Sequence, residues 1–196
     1  MAERGGTRDY RRRLMEGMAA AVAERGYADT TIADIVRHAR VSRRTFYEQF
    51  SSKQECLLAL YVAASERVIR ATAAVVETAG DRDTQIARAT EAYLARMQAN
   101  PVLTRTLFLE ILAAGPAGLQ VRREINQRYA DLFRGVVQAD GGHLSPELAA
   151  AAVGGINELI LQAVLDDRVD RLAALVSAPA TQLLRAVLSL PPSGST

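Results

Sequence analysis

The chain holds one cysteine (Cys56), two histidines (His38 and His143), one lysine (Lys53) and no tryptophan among its 196 residues. A single thiol makes no internal disulfide, so this is not a disulfide-stapled scaffold. Two scattered histidines give no ligand spacing for zinc, and neither metal nor cofactor is expected. Cys56 reads as a small core residue near a helix start, and His38 as a partly exposed helix residue. No stretch approaches the roughly 18 uncharged apolar residues of a membrane span. No apolar signal segment follows the basic N-terminus, so a cytoplasmic location is expected. Catalytic patterns are missing too: there is no nucleophile–base pair and no glycine-rich phosphate loop. The one acidic cluster, Asp166, Asp167 and Asp170, reads as the end of one helix and the start of the next. Glu110 and Glu158 stand alone, and no enzyme is expected.

What is present is apolar and helical. Nearly half the residues are hydrophobic, which marks a folded chain. Apolar residues recur at three and four spacing almost throughout, with no convincing strand alternation. The expected class is all-α, with about nine helices. Residues 11–25 place Leu14, Met15, Met18 and Val22 on one face, and Gly26 stops that helix. Thr31 caps a second helix, with Asp34 as the capping-box acid and Ile32, Ile35, Val36 and Ala39 as its apolar face. Ser42 caps a short third helix. Ser52-Lys53-Gln54-Glu55 opens a long fourth helix running to about Glu77.

After a break at Gly80–Asp83, a helix is expected over about 84–99. Asn100-Pro101 opens the next, which ends at Gly115-Pro116. Residues 117–139 carry Val121, Ile125, Tyr129, Leu132 and Val136 on one stripe. Ser145-Pro146-Glu147 starts a helix to Leu165. A last helix is expected over about 170–188, with Pro179 predicting a kink or break. The first eight or so residues and the Pro-Pro-Ser-Gly-Ser tail are expected to fray.

Between the second and third helices lie only Arg40 and Val41. So short a turn sets two helices at a steep angle and lets the second enter a DNA major groove. Val41, Phe46 and Phe50 should be buried to hold that angle. Arg43, Arg44, Tyr47 and Glu48 then fall on the outward face. Arginine grips guanine edges bidentately, worth about 1–3 kcal/mol of discrimination per good contact. Thr45 and Tyr47 hydroxyls suit phosphates, and Thr31 and Lys53 lie at helix starts, where a phosphate is favoured. Charge agrees: residues 1–60 carry 11 basic against 8 acidic side chains, the remainder 13 against 14.

This segment resembles the TetR family of bacterial transcriptional regulators. The likeness is carried by Glu24-Arg25-Gly26-Tyr27, Thr30 to Ile35, Val41-Ser42, Thr45-Phe46-Tyr47, Phe50 and Ser52-Lys53-Gln54-Glu55. Further on, Val153 to Ile160 is also similar. The resemblance implies a homodimeric repressor that binds a palindromic operator and is released by a small amphipathic effector. Residues 1–52 would form the DNA-binding domain, and 53–196 the effector-binding and dimerisation domain. By position, Ser42, Arg43, Arg44, Thr45, Tyr47 and Gln49 fall in the recognition helix, and Thr31 and Lys53 at phosphate contacts. The family usually has glycine where this chain has Arg40. A left-handed arginine costs about 1–3 kcal/mol, so either the turn is reshaped or a phosphate contact by Arg40 offsets the cost.

Candidate effector contacts on the central C-terminal helices are Tyr93, Met97, Phe108, Tyr129, Asn157 and Gln162, a partly aromatic, amphipathic set. Gly154 and Gly155 sit mid-helix at a cost of roughly 1 kcal/mol each, which close approach of a second helix would justify. That helix and the last one would pair with a second copy as a four-helix bundle. The rival reading is a helical ligand-binding or interaction protein whose helix-turn-helix no longer reads DNA.

Overall fold

The computed structural model describes residues 3–78 and 80–189. Among them are nine helices: α1 (Glu3–Asp29), α2 (Ile32–Ala39), α3 (Arg43–Gln49), α4 (Lys53–Thr78), α5 (Arg82–Gln98), α6 (101–113), α7 (Gly115–Ala139), α8 (Pro146–Leu165) and α9 (Leu172–Leu188). The all-α expectation holds. Helix α1 begins earlier than expected, with Glu3 to Arg8 already helical. The tail from Pro191 onward lies outside the described residues.

The helix starts at Asn100 and Ser145 follow the side chains expected to make them, whereas Asp81, inside the expected break, starts α5 about two residues early. Asp81, Asn100 and Ser145 each accept a backbone N–H three residues on, at 2.9, 3.1 and 3.2 Å. Ser52 accepts from the Glu55 N–H at 3.1 Å. The Glu55 carboxylate reaches one residue further back than expected, to the N–H and hydroxyl of Ser51. Two helix ends use a non-glycine left-handed residue. Arg40 (φ 53°) closes α2 and Asp167 (φ 55°) closes α8. At both, the next N–H reaches back five residues, from Val41 to Val36 and from Arg168 to Ala163, which satisfies carbonyls the helix leaves open. Asp167 thus ends a helix, and no group of His, Cys, Asp or Glu among the described residues could hold a metal.

Three features differ from the sequence reading. Helix α6 contains a π-helical turn, Thr106–Glu110. Helix α9 runs through Pro179 without a break; the ring removes one backbone donor, and α9's other bonds and its packing carry the helix past it. Helix α8 has the length and mean hydropathy, 1.7, of a membrane span. It carries Glu147 and Glu158, which is why no uncharged run of that length exists.

The chain forms two compact units. The first comprises residues 1–64 and 105–122 and fully buries Leu14, Met18, Ile35, Phe46, Phe50, Leu57 and Ile111. Burying a phenylalanine of this kind contributes roughly 1.5–3 kcal/mol. Helices α1 and α2 cross at Gly17, where a Cβ would stand 2.6 Å from the Ile35 carbonyl oxygen. Only glycine lets the two backbones come that close. At Gly26, φ is 76° and α1 breaks as expected. Glu110, from the π-helical turn, accepts the Tyr27 N–H at 2.8 Å beside that break. Cys56 is fully buried, and burial pushes its thiol up to about 12. It is a protonated core residue at neutral pH.

The second unit comprises residues 65–104 and 123–196. Here α9 packs on both α5 and α8, and Leu94, Ile160, Val164 and Leu172 of these three helices are buried.

Candidate nucleic-acid interface and ligand cavity

Helix α3 is held by its apolar side and presents the polar one. Phe46 and Phe50 are 0% and 1% exposed, their rings 5.9 Å apart. Arg11 of α1 places its guanidinium 4.3 Å over the Phe50 ring and donates to the Gln49 carbonyl at 2.9 Å. Val41, expected to be buried, is half-buried at the corner between α2 and α3. There it follows the left-handed residue, so its side chain covers the edge of the turn without entering the core.

Arg43, Arg44, Tyr47 and Glu48 are all exposed, as the helical spacing requires. The Arg43 guanidinium lies 6.0 Å from the Tyr47 ring centre. Arg44 donates to Glu48 at 3.0 Å with its side chain 90% exposed. A pair so wet contributes little to stability, and its arginine can exchange the carboxylate for a nucleic-acid acceptor. Ser42 caps the helix by accepting the Thr45 N–H at 3.0 Å, and its hydroxyl pairs with that of Thr45 at 2.8 Å. Gln49 is half-buried at the far end of α3. The face offers two arginines, a tyrosine and short hydroxyls on one rigid turn-and-a-half.

Around this face the structure assigns structural partners that the sequence did not reveal. The turn keeps its short form with Arg40 left-handed, held by Arg13. That guanidinium donates to the Ala39 carbonyl at 3.1 and 2.7 Å and to the Arg40 carbonyl at 2.7 Å. A cation at a helix C-terminus is favoured by the helix dipole. Arg40's own side chain stays exposed.

Thr31 sits in a closed capping box. Its hydroxyl oxygen accepts the Asp34 N–H at 3.2 Å while its proton goes to the Asp34 carboxylate at 2.6 Å. These bonds, with the Thr31 N–H, hold the Asp34 carboxyl down to about 2. Lys53 gives its three protons to the carbonyls of Tyr27, Ala28 and Thr30, at 3.0, 3.0 and 2.9 Å. Its ammonium also stands 4.7 Å from the Tyr27 ring centre. Lys53 is therefore a clamp between the start of α4 and the loop before α2.

The second unit holds a half-open cavity of about 90 Å³. Thr72 and Val76 of α4 line it, with Gln85, Ile86, Ala89, Thr90 and Tyr93 of α5. Tyr129, Leu132, Phe133 and Val136 of α7, Val153, Ile156 and Asn157 of α8, and Leu184 of α9 complete the wall. No lining residue is charged. Three of the six expected ligand contacts meet here. The Tyr93 and Tyr129 rings are 5.2 Å apart, edge to face. Asn157 donates to Asn126 at 3.0 Å and accepts the Tyr93 hydroxyl at 3.5 Å.

The other three lie elsewhere. Met97 is buried beside Thr104, whose hydroxyl approaches its sulfur at 3.7 Å. Phe108 is buried in the π-helical turn of the first unit. Gln162 is exposed and donates to Glu158 at 3.3 Å. Thr72 and the apolar wall were missed. A threonine on a helix gives no signal in sequence until its neighbours are known.

The family model of bacterial regulatory proteins, tetR family, matches residues 14–60. No curated protein matches by sequence. Among solved structures, the fold is similar to the fatty acid degradation regulator FadR from Bacillus halodurans, at a TM-score of 0.78 and 20% identity over 91% of this chain and 98% of that one. It is similar to FadR from Bacillus subtilis in complex with stearoyl-CoA, at 0.75 and 18% over 90% and 97%. The multidrug binding protein EbrR complexed with imidazole follows at 0.68 and 21%, over 93% and 97%. At these identities the likeness establishes the fold, and the matched segment spans α2, α3 and the arginine face between Leu14 and Leu60. Residues 14–60, with Arg43, Arg44 and Tyr47 on their outward face, thus match the DNA-binding segment of bacterial regulatory proteins of the tetR family.

Proposed function

We propose that this chain is a DNA-binding transcriptional regulator of the TetR family, a repressor that binds a palindromic operator as a homodimer and leaves it when a small effector enters the C-terminal helices. In this reading residues 1–52 read DNA, and 53–196 bind effector and partner copy. The observation that carries it is the exposed Arg43–Arg44–Tyr47 face of α3, backed by the buried Phe46 and Phe50. Ser42, Thr45 and Gln49 would complete the contacts of α3, and Arg40 and Thr31, at either end of α2, would meet phosphates. Lys53 serves the same interface by fixing the α1–α2 loop rather than by touching DNA.

Dimerisation is supported by what α8 and α9 leave uncovered. Ala150, Ala151, Gly154 and Leu165 of α8 and Ala174, Ala178 and Pro179 of α9 are exposed. A Cβ on Gly155 would meet Leu183 at 2.8 Å, whereas one on Gly154 would meet nothing within 4 Å. The cost of Gly154 is unrewarded within one chain, and a second copy's helix packed close against it supplies the reward.

Effector control is supported by the cavity and by α4, one uninterrupted helix from Lys53 to Thr78. A guest displacing Thr72 and Val76 acts on the same helix whose first residue is clamped to the loop before α2. Two recognition helices must lie about 34–36 Å apart, or a multiple, to enter successive major grooves. A guest that favours another spacing by about 5.5 kcal/mol would empty the operator. Tyr93, Tyr129 and Asn157 are the proposed contacts. Stearoyl-CoA, the ligand in the Bacillus subtilis FadR structure, is far larger than the present cavity. Such a guest would require the helices to part.

The test is gel-shift titration of duplex DNA across salt concentrations. The expected result is a steep fall of affinity with salt, with preference for one palindrome retained. Arg43→Ala or Arg44→Ala should cost about 1–3 kcal/mol at one base pair per half-site. Variants that bind every sequence as the parent does would refute the reading.

A further inference from the structure

Thr72 Oγ is the one buried side-chain nitrogen or oxygen among the described residues with no hydrogen-bond partner. Other buried threonines are satisfied by backbone carbonyls: Thr30 by Gly26 at 2.7 Å, Thr90 by Ile86 and Thr104 by Met97 at 2.8 Å. Thr72 is 6% exposed and lines the cavity. A buried hydroxyl left unpaired is disfavoured and marks a place where a partner is missing. Asn157, also 6% exposed, contributes a buried amide to the wall. Its carbonyl oxygen is reached by the Tyr93 hydroxyl only at 3.5 Å, the outer limit of a hydrogen bond.

The remaining wall is mostly aliphatic and aromatic, with the uncharged polar side chains of Gln85 and Thr90 and no charged one. Burying a carboxylate or ammonium there would be heavily penalised, because nothing present compensates it. A water needs about 10–15 Å³ of such cavity space, so a half-open cavity of about 90 Å³ admits a guest of several heavy atoms. Water alone fits the site poorly, since it needs two to four polar partners and the wall is mostly apolar.

We infer that the cavity beside Thr72 takes an uncharged, largely apolar small molecule bearing a single hydrogen-bonding oxygen, such as a short alcohol, ketone or ester, and that Thr72 recognises that oxygen. This rests on the effector-responsive reading above and narrows the chemistry of the effector. The charge-free wall discriminates against acids and amines of the same size, and the hydroxyl discriminates against plain hydrocarbons.

The experiment is methyl NMR of the full chain titrated with 1-butanol, butyrate and butylammonium as size-matched probes. Butanol should shift the methyl signals of Val76, Ile86, Val153, Ile156 and Leu184 saturably, and the two charged probes should not. Thr72→Val keeps the shape of the site and removes the hydroxyl. It should fold, and it should bind butanol about tenfold more weakly, the loss expected for one hydrogen bond. Ala89→Phe fills the space and should abolish the shifts. Absence of saturable shifts, equal binding of the charged probes, or undiminished affinity in Thr72→Val would each overturn the inference. DNA binding by the same preparation is measured separately. A chain that binds its operator but not butanol refutes the ligand class alone, whereas one that binds no DNA refutes the regulator reading.

Discussion

Replacing Lys53 by methionine keeps the aliphatic stem against Tyr27 and removes the ammonium that joins the start of α4 to the loop before α2. Three charge-assisted hydrogen bonds of 2.9 to 3.0 Å disappear. Such bonds contribute about 1.5–3 kcal/mol each where water cannot replace them. Lys53 is half-buried and Ala28 exposed, so water takes over part of the work. The ring contact at 4.7 Å adds about 0.5–1 kcal/mol. A net loss of about 2 kcal/mol follows, equivalent to roughly 4–8 °C in Tm for a domain of this size. Urea unfolding followed by far-UV circular dichroism measures it. The same variant is then titrated with operator DNA across salt. As a clamp, Lys53 contacts no phosphate, so the salt slope should be unchanged while affinity falls for all sequences alike. A phosphate ligand would behave in the opposite way, with stability almost unchanged and the slope shallower by about 0.9 per protomer. That outcome would refute the assignment.

Arg40→Gly should stabilise the chain by about 1 kcal/mol, because glycine adopts φ 53° without the penalty an arginine carries there. A lower Tm for this variant would mean that the Arg40 side chain holds the turn. Gly17→Ala forces a Cβ to within 2.6 Å of the Ile35 carbonyl, and overpacking against backbone costs about 1–3 kcal/mol. Denaturant unfolding should show the loss, and operator affinity should fall as α2 is pushed away; unchanged stability would contradict the packing. The Asp34 carboxyl is depressed from its ordinary value to about 2, so the stability it contributes is fully present above about pH 4 and is lost as pH falls towards 2. Amide signals of α2 should therefore move in that interval, and Thr31→Val should bring the transition to higher pH. An α2 indifferent to pH between 4 and 2 would contradict the capping box.

The sequence was most informative where function follows from local rules. Caps at Thr31, Ser42, Ser52 and Ser145 need only a hydroxyl and a three-residue spacing, and all four fall where expected. The inward Phe46 and Phe50 and the outward Arg43, Arg44 and Tyr47 follow from helical periodicity alone. Contacts between residues far apart in the chain were out of reach. Lys53 looked like a phosphate ligand because its reach to Tyr27, Ala28 and Thr30 depends on how α1, α2 and α4 meet. The support of Arg40 by Arg13 spans 27 residues and leaves no pattern. The cavity was half legible for a related reason. Aromatic and amide side chains on the right helices singled out Tyr93, Tyr129 and Asn157. Burial by itself does not distinguish a residue facing this cavity from one buried away from it, as Met97 and Phe108 are, and Thr72 carried no distinguishing signal.

The most direct test is selection of bound sequences by the full chain from random duplex DNA. The account predicts one enriched palindrome whose half-site centres lie about 10 base pairs apart, or a multiple, with Arg44→Ala relaxing a single position in each half. No enriched sequence, or enrichment identical in the arginine variants, would contradict it.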